Sequence, residues 1–588
     1  MNLHPVDIAI LVVYAVGIFV LAQWVSLEKD PATGKRLAAG RWQHVLAATG
    51  SVAIARLLAP AVFGDSAIVY VLALAIGLFA AYILVLVVLA QTAGGREGMH
   101  QKDAQDYFLA SRSLPWWAIG TSLIAANISA EQIVGMSGSG YVMGMAIASY
   151  EWMAALTLII VGKWILPVFL RNGIYTMPEF LEKRYSPAVR TVMAIFWLAL
   201  YIFVNLTSIL WLGALAVNTI TGLDVQVAIT GLALFALLYA LYGGLKAVAL
   251  TDVVQVALLV AGGCIITWIA LDKVGGDAGV VAGFQSLTTR FPEKFEMILS
   301  PDNPHYRDLP GLAVLLGGMW IMNVSYWGFN QYIIQRGLAA RSVNEAQKGI
   351  VLAAFLKLLM PAIIVLPGIA ALVISPGLER PDQAYPSLMA MLPVGIKGLV
   401  FAALVAAIVA STGSKINSIA TIFTMDLYRA ARPDTAQHRL VTVGRIVAVV
   451  SILIAILITR PFLSNFSQGF QYIQNFTGFV TPGICVIFLL GLFWARTTAT
   501  AAMVSMLATV VISWVFYKYL PDYPFMNRVG WCFVAGIVIA VAISLMTPKS
   551  QEALRVDINN VDFKTGTFFN VAAGLIVAIL AALYYTWW

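Results

Sequence analysis

Apolar runs close to 20 residues long recur from one end of the chain to the other, and no other feature constrains its fold as strongly. A helix needs about 20 residues to cross the hydrocarbon of a bilayer, and only helices and closed barrels satisfy their backbone hydrogen bonds there. Runs of this length suit helices; a barrel strand uses about half as many residues. Charged residues make up 11% of the 588 positions, where a soluble domain would carry about a quarter. The chain therefore reads as an all-α polytopic membrane protein.

Spans are expected near 5–26, 66–92, 115–141, 142–168, 188–219, 225–243, 246–271, 311–335, 349–375, 396–427, 440–460, 466–494, 497–518, 529–546 and 567–587. Segment 45–63, VLAATGSVAIARLLAPAVF, is weaker, because Arg56 costs about 2.5–3.5 kcal/mol at a helix centre. Loops rich in Lys and Arg follow the first span and lie at 93–114, 171–190, 336–348, 428–439 and 547–566; these are expected on the cytoplasmic side. Two cytoplasmic loops flanking 45–92 require an even number of crossings between them. Segments 45–63 and 66–92 then form a hairpin, giving about 16 helices with both termini external. The alternative is an interfacial 45–63 with the first helix reversed.

The net charge of +8 collects in these loops and is not a nucleic-acid signal. The start, MNLHPVD, lacks the positive region of a signal peptide, so 5–26 is expected to be a retained helix. Cys264, Cys485 and Cys532 sit in apolar runs and give neither a disulfide framework nor a metal spacing. All five histidines fall outside the apolar cores, which argues against an intramembrane metalloenzyme, and no enzyme activity is expected.

Polar residues inside spans narrow the function. ANISAEQ at 126–132 interrupts one span and NVSYWGFNQ at 323–331 interrupts another. Two interrupted helices in corresponding positions point to a transporter built from inverted repeats, here 115–271 and 311–494. Unwound backbone there offers carbonyls to a cation and helix ends to a substrate. Glu131, Glu151, Asp252, Lys357 and Lys415 also lie within spans, where ionisable groups are costly and usually face a cavity or a partner. On helical spacing Asn127 pairs with Glu131 and Gln132 with Met136; Asn323, Tyr326 and Asn330 share a face, as do Phe470 and Gln474. Amides, a carboxylate and an ammonium beside aromatic rings suit a neutral polyhydroxylated ligand, whose hydroxyls need donors and acceptors and whose C–H face stacks on a ring. A single residue such as Asn205 serves equally well as glue between helices.

AANISAEQIVGMSGSGY, ASYEWMAALTLIIVGK, YGGLKAVALTDVVQV, YWGFNQYIIQR and FQYIQNFTGFVTPGI resemble the sodium:solute symporter family, and within it the bacterial sodium/galactose (sodium/glucose) symporters of the SGLT type. The resemblance covers most of 104–588 and the first helix. It implies a LeuT-type 5+5 inverted repeat with flanking helices, about 14 in the family pattern. On that plan 1–26 is an N-terminal flanking helix, 27–100 an insertion carrying the extra hairpin, 115–271 and 311–494 the two five-helix repeats, and 495–588 the C-terminal flanking helices. Gln132, Glu151, Asn205, Asn323, Lys357 and Gln474 would contact a sugar. Tyr326 would stack on it as inner gate, held by Asn127. Met136, Tyr150 and Phe470 would form the outer gate. Ala154 departs from the pattern, which has a sugar-contacting serine there.

The resemblance also implies a sodium site made by the carbonyls of Ala125, Ile128 and Ala407 and by Ser411. The pattern's first serine is replaced by Ala410, and Lys415 stands one turn beyond Ser411 where relatives are apolar. Two readings stay open. In one, water replaces the lost hydroxyl and Lys415 faces the cytoplasmic vestibule. In the other, the Lys415 ammonium acts as a tethered cation. Asp252, part of the family pattern, is a counter-charge in either. The implied function is sodium-coupled uptake of a monosaccharide by alternating access across a bacterial inner membrane. Sodium is the coupling ion, and sugar and bilayer are the partners. No nucleic acid and no obligate protein partner are expected. The alternative is a proton-coupled or uncoupled permease for a sugar, polyol or nucleoside.

Overall fold

The computed structural model describes parts of residues 3–14 together with 112–174, 176–464, 468–548 and 560–588. The hairpin expected within 27–100 lies outside the described residues. Among those described, ten helices are long and apolar enough to cross a membrane, and the β structure is one isolated bridge between Leu114 and Ala340. The long helices fall on the expected runs. Examples are Pro187–Thr221, Val343–Ile374, Ile396–Ala431, Gln437–Leu463, Gly469–Phe493 and Thr567–Thr586.

One expectation needs correcting. The runs at 225–243 and 246–271 are not separated by a loop; helical backbone continues from Val225 to Gly275. Residues 245–250, LKAVAL, are mostly strong helix formers, and the two glycines before them do not interrupt the helix.

Both expected interruptions are present, and they have the same form. The helix Trp116–Asn127 stops at Ile128, whose backbone is extended (φ −74°, ψ 108°), and helix resumes as a wide turn over Glu131–Met136. At the second interruption the helix Gly318–Val324 widens over Ser325–Phe329 and stops at Asn330, also extended (φ −84°, ψ 122°), before Gln331–Leu338. One extended residue in each helix frees backbone groups that a continuous helix would consume. Val343–Ile374 packs on Trp116–Asn127, Ser137–Met143 and Ser149–Ile160, and Ile396–Thr421 packs along Val225–Gly275. Burial sets the layers. Within its apolar core Ile396–Ala431 is 83% buried and Thr567–Thr586 only 17%. The helix carrying Ser411 and Lys415 thus runs through the middle of the bundle, and the last helix lies at its edge.

Candidate functional site

A cavity lies beside the two breaks, roughly 650 Å³ when the solvent space at its opening is counted with it. Its walls include Gln132, Glu151, Asn323, Tyr326, Lys357 and Gln474, which are six of the seven residues expected to contact substrate. The seventh, Asn205, is not among its lining residues; its main-chain carbonyl accepts from the Ser208 hydroxyl at 3.0 Å. Of the outer-gate residues, Tyr150 and Phe470 line the cavity with their rings edge to face, centroids 5.1 Å apart at 84°. Met136 is fully buried and does not line it.

The inner side is fastened through Tyr326. The Asn127 amide donates to its hydroxyl at 2.8 Å, and the Tyr332 hydroxyl donates to it at 2.7 Å. Lys357 donates to Asn127 Oδ1 and to Glu151 Oε2, the latter at 2.5 Å, and its ammonium lies 5.1 Å from the Trp327 ring. This buried pair is neutral overall and hydrogen-bonded, as a low-dielectric site requires. The cavity therefore presents amides, a balanced ion pair and an aromatic face, and no net charge from these two groups.

The break also corrects one inferred pairing. Asn127 and Glu131 do not share a helical face, because the backbone turns out of the helix at Ile128. Asn127 points to Tyr326 and Lys357. Glu131 instead accepts from the Ser208 hydroxyl and lies 3.9 Å from the Lys415 ammonium.

A second polar cluster adjoins the first break. The Ser129 N–H, which in a continuous helix would bond the Ala125 carbonyl, donates to Gln132 Oε1 at 3.1 Å. Ser411 Oγ lies 3.1 Å from the Ala125 carbonyl oxygen and 3.3 Å from that of Ile128. Ala407 stands one helical turn before Ser411 on the same helix. Two released carbonyls and a hydroxyl converge here, a hard-oxygen set that fits a sodium ion. Ala410, the residue before Ser411, is fully buried and offers no side-chain oxygen to this set. Lys415 is fully buried rather than facing an open vestibule. Asp252 accepts from Ser122 at 2.6 Å, and Arg336 donates to Ser122 at 3.1 Å, so this carboxylate serves the Arg336 side and does not touch Lys415.

Other cavity residues were not singled out in the sequence: Trp197, Ser325, Trp327, Thr477 and Thr481. The two threonines carried a signal. Phe470, Gln474, Thr477 and Thr481 recur at helical spacing and form one wall of the cavity. Asn330 shares its face with Asn323 and Tyr326, and its position at the second break brings it in.

Known proteins resemble this chain in sequence and in fold. A model of the sodium:solute symporter family matches residues 107–509. A sodium/glucose cotransporter of Vibrio parahaemolyticus is 51% identical, covering 87% of this chain and 97% of that one. An uncharacterized symporter, YidK, of Escherichia coli (strain K12) is 34% identical over 81% of this chain and 85% of its own. The solved outward-open, substrate-bound structure of a Na+-coupled sialic acid symporter superposes with TM-score 0.69, covering 87% of this chain and 99% of that chain at 21% identity.

Proposed function

Because this chain belongs to the sodium:solute symporter family, we propose that it takes up a neutral hexose of the glucose or galactose type, with sodium, through the cavity between its two broken helices. It is a multi-pass sodium-coupled solute symporter and not an enzyme. The observation that carries the sugar reading is the cavity wall. Gln132, Asn323 and Gln474 offer donors and acceptors, Lys357 and Glu151 neutralise each other, and Tyr326 offers a ring face. A carboxylate substrate would need an unpaired cation there. The relative named for glucose supports the hexose class. Ala154, with no hydroxyl to offer, favours a sugar that makes one contact fewer on that wall.

Alternating access follows from differential binding. Sodium on the carbonyls of Ala125 and Ile128 and on Ser411 joins the first broken helix to Ile396–Thr421. Sugar on Gln132 and Gln474 draws the outer gate, Tyr150 and Phe470, closed above it. Release inward requires Tyr326 to leave Asn127 and Tyr332. The bacterial inner membrane is the proposed location, with the repeats at 115–271 and 311–494 as the moving parts. Equilibrium binding tests this: labelled glucose, galactose, a polyol and a nucleoside are offered to the purified protein with and without sodium. Sodium-enhanced binding of a hexose, lost in Gln132→Ala and Gln474→Ala, is the expected outcome. Binding of the nucleoside alone contradicts it.

A further inference from the structure

Among the described residues two lysines are buried, and they are bonded differently. Lys357 donates to Asn127 and Glu151. The Lys415 ammonium is fully buried yet has no hydrogen-bond partner. It is held by charge alone, 3.9 Å from Glu131 Oε2 and 4.5 Å from the centre of the Tyr332 ring. The other Glu131 oxygen accepts from Ser208. A buried ammonium normally spends its donors on neighbours, so an underbonded one at this place is an arrangement to be explained.

Its placement supplies the explanation. Lys415 follows Ser411 by one helical turn, and Glu131 follows Ile128 by three residues. The same two segments therefore meet twice. They meet once through Ser411 and the carbonyls of Ala125 and Ile128, and once through Lys415 and Glu131. The second meeting puts a fixed positive charge on the residue one helical turn after Ser411, against the segment that supplies the carbonyls. The remaining charged groups on that side are Arg336, whose guanidinium donates to Ser414 and Ser122, and Asp252, which accepts from Ser122. Arg336 adds to the positive field, and Asp252 answers Arg336 rather than Lys415.

We propose that Lys415 is a tethered rival of the coupling cation: its ammonium, paired with Glu131, bridges the ion-site helices and sets a low sodium affinity. Sodium binding then has to displace part of an interaction already present, in a site that Ala410 leaves one hydroxyl short. This rests on the assignment of the sodium site given above.

Equilibrium binding of labelled sodium to purified protein without sugar provides the test, so transport need not be intact. Lys415→Met is expected to tighten sodium binding about tenfold, the order of a screened like-charge repulsion between neighbouring groups partly cancelled by Glu131. Lys415→Gln serves as the second neutral variant where the first does not fold. Lys415→Arg, which keeps the charge, stays within about threefold of wild type. Neutral variants that bind sodium no more tightly than wild type overturn the proposal. Ser411→Ala separates the two claims. If it abolishes sodium binding while both neutral variants match wild type, the site stands and the lysine's role falls. If wild type itself binds no sodium, both fall.

Discussion

The Asn127 amide donates to the Tyr326 hydroxyl at 2.8 Å, and this bond joins the break in the first repeat to the break in the second. Neither residue is fastened by its own helix. Each is positioned because one extended residue, Ile128 or Asn330, ends the helical ladder beside it. The proposed inner gate is thus a contact between two interruptions. Tyr326→Phe keeps the ring and loses the bonds from Asn127 and Tyr332, so hexose binding weakens by no more than about threefold while inward release quickens. Tyr326→Ala removes the stacking face and weakens binding at least about tenfold. Binding isotherms and efflux rates measured on the same preparations separate the two effects.

The Lys357–Glu151 pair makes a stability prediction. Lys357→Met leaves a buried carboxylate with no partner, at a cost of about 3–5 kcal/mol. Glu151→Gln added to Lys357→Met recovers much of that loss, because no unpaired charge remains. Melting curves of the single and double variants in detergent check this. A double variant no more stable than Lys357→Met alone shows that the pair does not act through charge compensation.

A carboxyl group outside the long apolar helices brings pH dependence. Asp382, on the short turn Pro381–Gln383, accepts the Gly469 N–H at 2.9 Å and so caps the helix that carries Phe470 and Gln474. Gly138 of the first repeat closes over it; a methyl group there would come within 2.7 Å of Asp382 Oδ1. Burial pushes the Asp382 carboxyl up to about 7, against the pull of the Gly469 N–H and the Arg380 guanidinium. A carboxyl group with a raised pKa binds its proton more tightly in this closed arrangement than when exposed. Protonation therefore favours closure. The stabilisation is full near pH 4 and is lost as pH rises through 7. Labelling of Gln471→Cys by a thiol reagent, in a background without the native cysteines and with each rate divided by that of a small free thiol at the same pH, should be slower at pH 6 than at pH 8. Adding Asp382→Asn should flatten that dependence. Equal labelling at both values in the presence of Asp382 contradicts the assignment.

The ion site predicts a gain of function. Ala410→Ser restores a hydroxyl beside Ser411 and should lower the sodium concentration for half-maximal uptake by about threefold to tenfold. Sodium titration of uptake measures it. A value unchanged or raised shows that the side chain at 410 does not reach the ion.

Much of this was legible in the sequence because the bilayer enforces it. Long apolar runs have to be helices, and ANISAEQ and NVSYWGFNQ stand out within them as polar segments. Six of the residues that line the cavity were named through the resemblance to the symporter family, and the polar motifs and the spacing of Phe470 and Gln474 pointed the same way. What the sequence hid were consequences of leaving the helix. Spacing paired Asn127 with Glu131, yet the turn at Ile128 sends one to Tyr326 and the other towards Lys415. Spacing also placed Lys415 near the ion site without revealing that its ammonium lacks a hydrogen bond, which depends on side chains from three separate segments. The continuity of Val225–Gly275 was missed because two glycines look like a loop when helix formers beside them outweigh that signal.

Uptake into proteoliposomes tests the central claim most directly. Purified protein is reconstituted, and entry of labelled glucose and galactose is followed with an inward sodium gradient, with equal sodium on both sides, and with an inward proton gradient in its place. Accumulation of a hexose above the external concentration under the sodium gradient alone, abolished in Ser411→Ala and in Gln474→Ala, is the predicted result. Equal uptake under all three conditions, or no uptake of either hexose, contradicts it.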